Sequence, residues 1–270
     1  MRRRVGLALC ATLIAGSSQA CSIPAHQSTQ MPDTVVLEEF DGDFSPIWGA
    51  WYDGPTQVYD HGILGDATEA TNLVAYSDQS LNSCNVIGVS LDASHVFEDV
   101  APRLVDLDGD GRAEIITVRT HLQLGAQIAI YGDAMDHETL TLIATTPYIG
   151  RTHRWLAPIG AADLDGDGMI EIAYIDRPHL AKTLMVWRFV PDGSGGGMLE
   201  QVASLDGLTN HRIGEPTISG GIRDCGAGPE MITADANWSH LHATRLSGGQ
   251  LSSEDIGRYS ANAMTAALRC

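Results

Sequence analysis

The sequence contains no Cys-x-x-Cys pair, which removes the common zinc and dithiol redox frameworks. Gly-x-Ser-x-Gly, His-Glu-x-x-His and a phosphate-cradling glycine loop are also missing. Nucleophile-elbow hydrolases, helical zinc proteases and P-loop enzymes therefore have no signature here. Basic residues are scarce: 16 Lys and Arg stand against 34 Asp and Glu, a formal charge of −18. So acidic a chain repels a phosphate backbone, which excludes nucleic acid as a ligand. Long apolar runs are lacking too. The run over residues 5–16 is too short for a membrane span, which needs about 20 residues.

That run follows Met1-Arg2-Arg3-Arg4 and precedes the small-residue site Ser18-Gln19-Ala20, so residues 1–20 read as a secretory signal peptide. The expected mature chain is exported, periplasmic or extracellular, and has no transmembrane segment. It would begin at Cys21. A lipid anchor there is disfavoured, because Ser18-Gln19-Ala20 lacks the Leu and small residues of a bacterial lipobox. Residues 21–33 are polar and Pro-containing and read as a flexible leader. Residues 34–270 are expected to form one domain, a length that can bury a sizeable core.

That domain is organised around a phrase that occurs twice, Asp-Leu-Asp-Gly-Asp-Gly-x-x-Glu-Ile, at residues 106–115 and 163–172. Carboxylates at positions one, three, five and nine, with glycines at four and six to bend the backbone, make a cage for a hard cation, and Ca²⁺ suits it best. The first loop offers Asp106, Asp108, Asp110 and Glu114, with the backbone carbonyl of Arg112; the second offers Asp163, Asp165, Asp167 and Glu171, with that of Met169. About two ions are expected. An EF-hand is excluded, since its twelfth position must be Glu and here it is Thr117 or Tyr174. β-Branched residues after each loop make the flanks strands. Acidic turn residues with no ion are the plainer alternative, but carboxylates this dense repel one another unless neutralised.

A strand–loop–strand whose last acidic ligand is at position nine resembles the FG-GAP or VCBS-type repeat, the unit of the integrin-α-like β-propeller. Degenerate copies end at Glu230 and run through residues 63–74, so the resemblance covers about residues 59–258. Strands are expected at 101–105, 114–119, 126–131 and 139–145; at 157–162, 171–176, 183–190 and 198–204; and at 216–221, 230–235, 240–246 and 250–256. Four strands per unit is a propeller blade. The resemblance thus implies an all-β propeller of four four-stranded blades, with the cation loops between the first two strands, or of five if strands at 34–52 and the tail 259–270 close the ring. Of the cysteines left after export, Cys21, Cys84, Cys225 and Cys270, the preferred pair is Cys225 with Cys270, which would tie the last residue to the fourth unit's loop.

A second repeated feature concerns ligands. His153-Arg154 and His211-Arg212 lie 58 residues apart, each five residues before a proline, and His95 precedes Pro102 by seven. Equivalent positions in successive blades fall around one rim, so His95, Glu98, His153, Arg154, His211, Arg212 and Glu215 could ring a polar or anionic ligand. The bland alternative, satisfaction of loop carbonyls between blades, weighs more on sequence alone. His240 and His242 share a strand face but lack a third metal ligand, and Trp187 reads as core. The function expected is that of an exported, calcium-braced propeller acting as a binding module for a protein or glycan partner. The competing expectation is a propeller hydrolase or lyase using the His/Arg rim on an acidic or carbohydrate substrate.

Overall fold

Glycine-rich turns cut the chain into short runs, and the apolar residues in those runs decide which faces are buried. In the computed structural model, which describes residues 35–36, 46–80, 85–134 and 137–270, the result is all-β with one short helix. The expected signal peptide and leader, Cys21, Cys84 and the acidic turn Asp41-Gly42-Asp43, a further cation candidate by sequence, lie outside the described residues.

Three antiparallel sheets follow in chain order. The first has nine strands and curls into a half-barrel: β1 (Val35–Val36), β2 (Ile47–Thr56), β3 (Glu69–Ser77), β4 (Val86–Ser90), β5 (His95–Phe97), β6 (Arg103–Val105), β7 (Glu114–His121), β8 (Gly125–Asp133) and β9 (Leu140–Thr145). It joins two of the expected units, and the link is the single pairing of Ala70 in β3 with Phe97 in β5. The second sheet is β10 (Leu156–Ala162), β11 (Glu171–Asp176), β12 (Thr183–Pro191) and β13 (Gly197–Asp206), paired in that order. The third is β14 (Leu208–Thr209), β15 (Gly221–Asp224), β16 (Pro229–Asp235), β17 (His240–Ser247) and β18 (Gln250–Arg258), followed by helix α1 (Ala261–Ala267).

Neighbouring sheets bury both faces of the strands between them. On β11, Ile172 and Tyr174 pack with Ile116, Val118, Ile128 and Ile130 of the first sheet, while Ala173 and Ile175 pack with Leu208, Met231 and Leu246 of the third. A strand buried on both sides needs a continuous apolar run, and Ile-Ala-Tyr-Ile supplies it. On β12 the buried residues run Leu184, Val186, then Phe189, because a bulge after Val186 shifts the alternation. Trp187 packs against the cluster between the first two sheets, as expected of a core residue.

Two expectations fail locally. The fourth unit's first strand is not continuous over 216–221. β14 and β15 both pair with β16, and residues 210–220 leave the sheet between them. The chain rejoins at Gly220 (φ +86°), where a Cβ would lie 2.2 Å from the Ile232 carbonyl oxygen, so only glycine fits. The first strand expected in the second unit, 101–105, is present as β6, with a break before it. β5 and β6 flank the break, where Asp99 takes the Val118 N–H at 2.9 Å and is held by Arg103 (2.8 Å) and by the Tyr52 hydroxyl (3.0 Å). Among the described residues, the tail does not pair with strands at 34–52 either. β2 pairs with β3, while the Ala-rich tail is a helix capped by the Ser260 hydroxyl, which accepts from Ala263 N, and it buries Met264 against the third sheet.

Cys225 and Cys270 form a disulfide, the preferred pairing, and it fastens the end of this helix to the loop before β16. Among the described residues no helix is long and apolar enough to cross a membrane.

Candidate functional sites

The two repeated phrases form loops of the same geometry. In each, the first aspartate accepts from both glycine amides: Asp106 from Gly109 (2.8 Å) and Gly111 (3.0 Å), Asp163 from Gly166 (2.8 Å) and Gly168 (2.9 Å). All four glycines have positive φ, the region that a side chain would oppose. The buried glutamate that opens the second strand closes the loop with one oxygen. Glu114 Oε2 accepts from Leu107 N at 2.8 Å, and Glu171 Oε2 accepts from Leu164 N at 2.9 Å. Oε1 is left for a cation.

What meets Oε1 differs between the loops. Glu171 faces Arg188 across the β11–β12 ladder, and that guanidinium donates Nε to Glu171 Oε1 at 2.5 Å and also pairs with Asp165 (3.0 Å) and Asp167 (2.9 Å). Glu114 lies one step beyond the Ile115–Tyr131 pair, opposite Gly132, and has no arginine across from it. Burial pushes its carboxyl up to about 8, with Asp108, Asp110 and Asp106 adding to the rise. Two acidic groups could hold a metal ion: Asp106, Asp108 and Glu114 in the first loop, and Asp163, Asp165 and Asp167 in the second. Arg112 and Met169 occupy the seventh positions, their amides bound by Asp110 (2.8 Å) and Asp167 (2.9 Å). A cavity of about 520 Å³ opens over the first loop, lined in part by Asp108, Glu114 and Gly132. It is also lined by Asp133, whose side chain is only 3% exposed and whose Oδ1 has no hydrogen-bond partner. Such an orphaned oxygen beside three carboxylates fits a cation.

The His/Arg positions form a second site only in part. His153, Arg154 and Trp155, from the loop before β10, line a cavity of about 210 Å³. His61 and Ile63, from the loop after β2, share it, together with Arg177, His179 and Leu180 after β11 and Ile213 from the 210–220 excursion. The His153 ring stacks on His61, centroids 5.0 Å apart, and its amide donates to the Tyr59 hydroxyl at 2.6 Å. His61 Nδ1 is hydrogen-bonded to the fully buried Glu98, whose other oxygen accepts from Thr120 Oγ1 at 2.8 Å. His211 is buried below the cavity and touches its wall through His179, ring nitrogens 3.1 Å apart. The remaining ring candidates point elsewhere. Arg212 lies over Trp238 at 4.0 Å, Glu215 offers its carbonyl to His211, and His95 sits with Asp92, His121 and Tyr148.

Burial pushes His61 down to about 4, helped by the Arg154 charge, and His179 down to about 4, helped by His211. Both are neutral at pH 7. Burial raises Glu98 well above the usual carboxylate range, with Asp99 adding to it, and raises Glu69 to about 9. His61 and His179 were not among the sequence candidates. His179 had a signal, since it follows His121 by the same 58 residues that separate His153 from His211. His61 lies in the degenerate first unit and had none. No protein-family model matches this chain, and no curated protein matches it.

Proposed function

We propose that the protein is an exported, Ca²⁺-braced β-propeller of the FG-GAP/VCBS type whose four blades carry a binding site for a small polar or anionic ligand, free or as the end group of a glycan or protein partner. Support for the blades is the repeated unit of antiparallel strands with a cation loop before its second strand. Outer strands β4, β9, β13 and β18 follow one another across the sheets, and the Gly214 amide of the last unit bonds the Ile63 carbonyl of the first at 3.0 Å. Export is supported by the disulfide. Calcium is favoured over magnesium because the loops offer many oxygens in a flexible turn, where Mg²⁺ demands a small octahedral shell.

The observation that carries the binding reading is convergence. Three loops distant in sequence bring His61, His153, Arg154 and His179 to one cavity, with the buried Glu98 behind them. The test is a titration of Ca²⁺-loaded protein with glycans and small carboxylates, read by calorimetry, alongside Arg154→Ala. Saturable binding weakened at least tenfold by Arg154→Ala is expected. Binding unaffected by that change would place the ligand elsewhere.

A further inference from the structure

Hydrogen bonds in the small cavity fix opposite roles for two of its histidines. His211 Nε2 lies 2.8 Å from the Glu215 carbonyl, which can only accept, so the His211 proton is on Nε2 and Nδ1 carries the lone pair. Nδ1 is 3.1 Å from His179 Nε2, which must then donate. Neutral His179 therefore has its lone pair on Nδ1. The opposite order holds at His61. Its Nδ1 faces Glu98, a carboxyl with no exposed surface that lies among Asp99 and Glu69 and is kept protonated there. Glu98 donates to Nδ1, so His61 carries its proton on Nε2, for which no partner exists among the described hydrogen bonds. One wall of the cavity thus offers a base and another an acid.

We propose that this cavity is a hydrolytic site in which His179 takes a proton from water and His61 gives one to the leaving oxygen of a small carboxylic ester with an apolar acyl group. The proposal rests on the ligand-binding reading of the same cavity. As water oxygen bonds to the acyl carbon, its proton passes to His179 Nδ1, and the carbonyl oxygen gains negative charge near the Arg154 guanidinium. The carbon–oxygen bond to the alcohol then breaks. The His61 Nε2 proton goes to the departing oxygen while the Glu98 proton moves to Nδ1. Ester and water become acid and alcohol, and the proton held by His179 returns through solvent to the Glu98–His61 pair. His61 and His179 are the catalytic residues, and Glu98 and His211 are positioning residues.

Charge and shape select the ester. Asp176 holds Arg177 through three contacts of 2.7–3.1 Å, which leaves Arg154, bonded only to the His153 carbonyl (2.7 Å), as the cavity's cation without an acidic partner among the described residues, able to meet one negative charge rather than the two of a phosphate monoester. Ile63 and Trp155 line the interior, and Leu180 (62% exposed) and Ile213 (69% exposed) form an apolar lip. At about 210 Å³ the space is below the ~300 Å³ lower bound for drug-sized ligands.

The test uses the full mature protein with Ca²⁺ and 4-nitrophenyl esters of short fatty acids, with butyrate binding measured separately by calorimetry. His61→Gln and His179→Gln should each lower kcat/KM by about 10²–10⁴-fold, the usual weight of acid–base catalysis. Glu98→Gln should lower kcat with KM little changed. The groups around His179 are His211, His61 and Lys182, and those around His61 are Glu98, Arg154, His153 and Tyr59. In this setting the acid limb of the rate should fall near pH 4, where His179 is charged, whereas an adventitious surface imidazole would titrate near its ordinary ~6.5. That profile is read on the unmodified protein, so it stands even where Glu98→Gln does not fold. Turnover equal to that of the double histidine variant, or an acid limb near 6.5, overturns the proposal. If butyrate still binds, the ligand reading survives; if it does not, both fall.

Discussion

The loops over residues 106–114 and 163–171 have nearly the same sequence and share their backbone hydrogen bonds except at the fifth residue, whose amide goes to Asp108 in the first and to Asp163 in the second, yet they solve one electrostatic problem in two ways. Each buries a glutamate at the start of a strand, among three aspartates. The second loop neutralises that charge internally, because Arg188 on the adjacent strand reaches three of the four carboxylates. Opposite the first loop stands Gly132, which has no side chain to do the same, and Arg112 and His137 pair with Asp133 (3.6 and 2.9 Å). The fourth unit is the far end of the series. Its loop has lost most of its acids, and its Glu230 is held by Arg223 (2.8 Å) and by Arg245 (2.6 Å), the residue on the strand beyond. A guanidinium thus occupies, in the second and fourth units, the position that in the first unit is open to a metal ion, and it comes from the third strand of the unit. The first loop should bind its ion tightly, and the second weakly, since Arg188 must be displaced.

Removing the arginine should have the largest effect. Arg188→Ala leaves Glu171 buried without a counter-charge and is expected to cost about 3–5 kcal/mol in EDTA. Added Ca²⁺ should restore most of that and raise the number of tightly bound ions from one to two by calorimetry. A variant with unchanged stability and ion count would break the comparison.

Next comes pH, in the ion-free protein. The Glu114 carboxyl releases its proton near 4.5 when unfolded but only near 8 when folded, so between these values the folded state holds the extra proton. Its contribution, about 5 kcal/mol at about 1.4 kcal/mol per pH unit, is fully present below 4.5 and is lost as pH rises through 8, with roughly 3–4 kcal/mol of it lost between pH 5 and 8. Glu69, raised to about 9, slopes the same way but is not part of either acidic loop. Denaturation curves from pH 5 to 8 should therefore show a slope in EDTA that Ca²⁺ reduces but does not abolish. A slope indifferent to Ca²⁺ would show that no ion meets Glu114.

Smaller is the effect of the ion on the unmodified protein. At a hundredfold excess over Kd, a tight site adds about 2.7 kcal/mol, or roughly 5–10 °C in melting temperature for a chain of this size. Asp108→Ala should remove that response and Asp165→Ala should leave most of it. Equal losses would mean that the loops are equivalent after all.

Smallest in stability, and sharpest in logic, is Gly132→Arg. A Cβ there would lie 2.5 Å from the end of the flexible Ile143 side chain, a clash that a rotamer change relieves. If the third-strand residue decides the occupant, this variant should lose tight Ca²⁺ binding while its melting temperature becomes indifferent to EDTA.

Much of this was legible beforehand because it is local. The acidic loops and the strands around them follow from spacing and turn chemistry over a few residues, whereas the pairing of Cys225 with Cys270 was preferred because it would tie the last residue to the fourth unit's loop. Arg188 was invisible as a ligand mimic, since its importance depends on ladder register across β11 and β12. The small cavity was legible only in part for the same reason. It is assembled where inner strands break, at Glu98 and in the 210–220 excursion, and a periodic pattern describes strands better than their interruptions. His153, Arg154 and His211 came from the repeat period, whereas His61 belongs to the unit in which that period has decayed. The fifth-blade alternative finds no support in the tail, where Ala-rich helix propensity behind a serine cap outweighs a topological argument for closing the ring.

The disulfide makes the fourth unit a covalent loop. Residues 226–269, which include β16, β17, β18 and α1, lie between its two cysteines. In a chain-entropy picture a loop of 45 residues stabilises the fold by about 4 kcal/mol. It also changes how the protein can be taken apart. A protease that nicks the exposed turn at Gly248-Gly249 frees no fragment from the oxidised protein, which keeps one gel band and gains the mass of one water. After reduction the same nicked sample should release a short peptide beginning in β18 and carrying the helix. The last sheet is therefore a clasp that must be both cut and reduced before it opens.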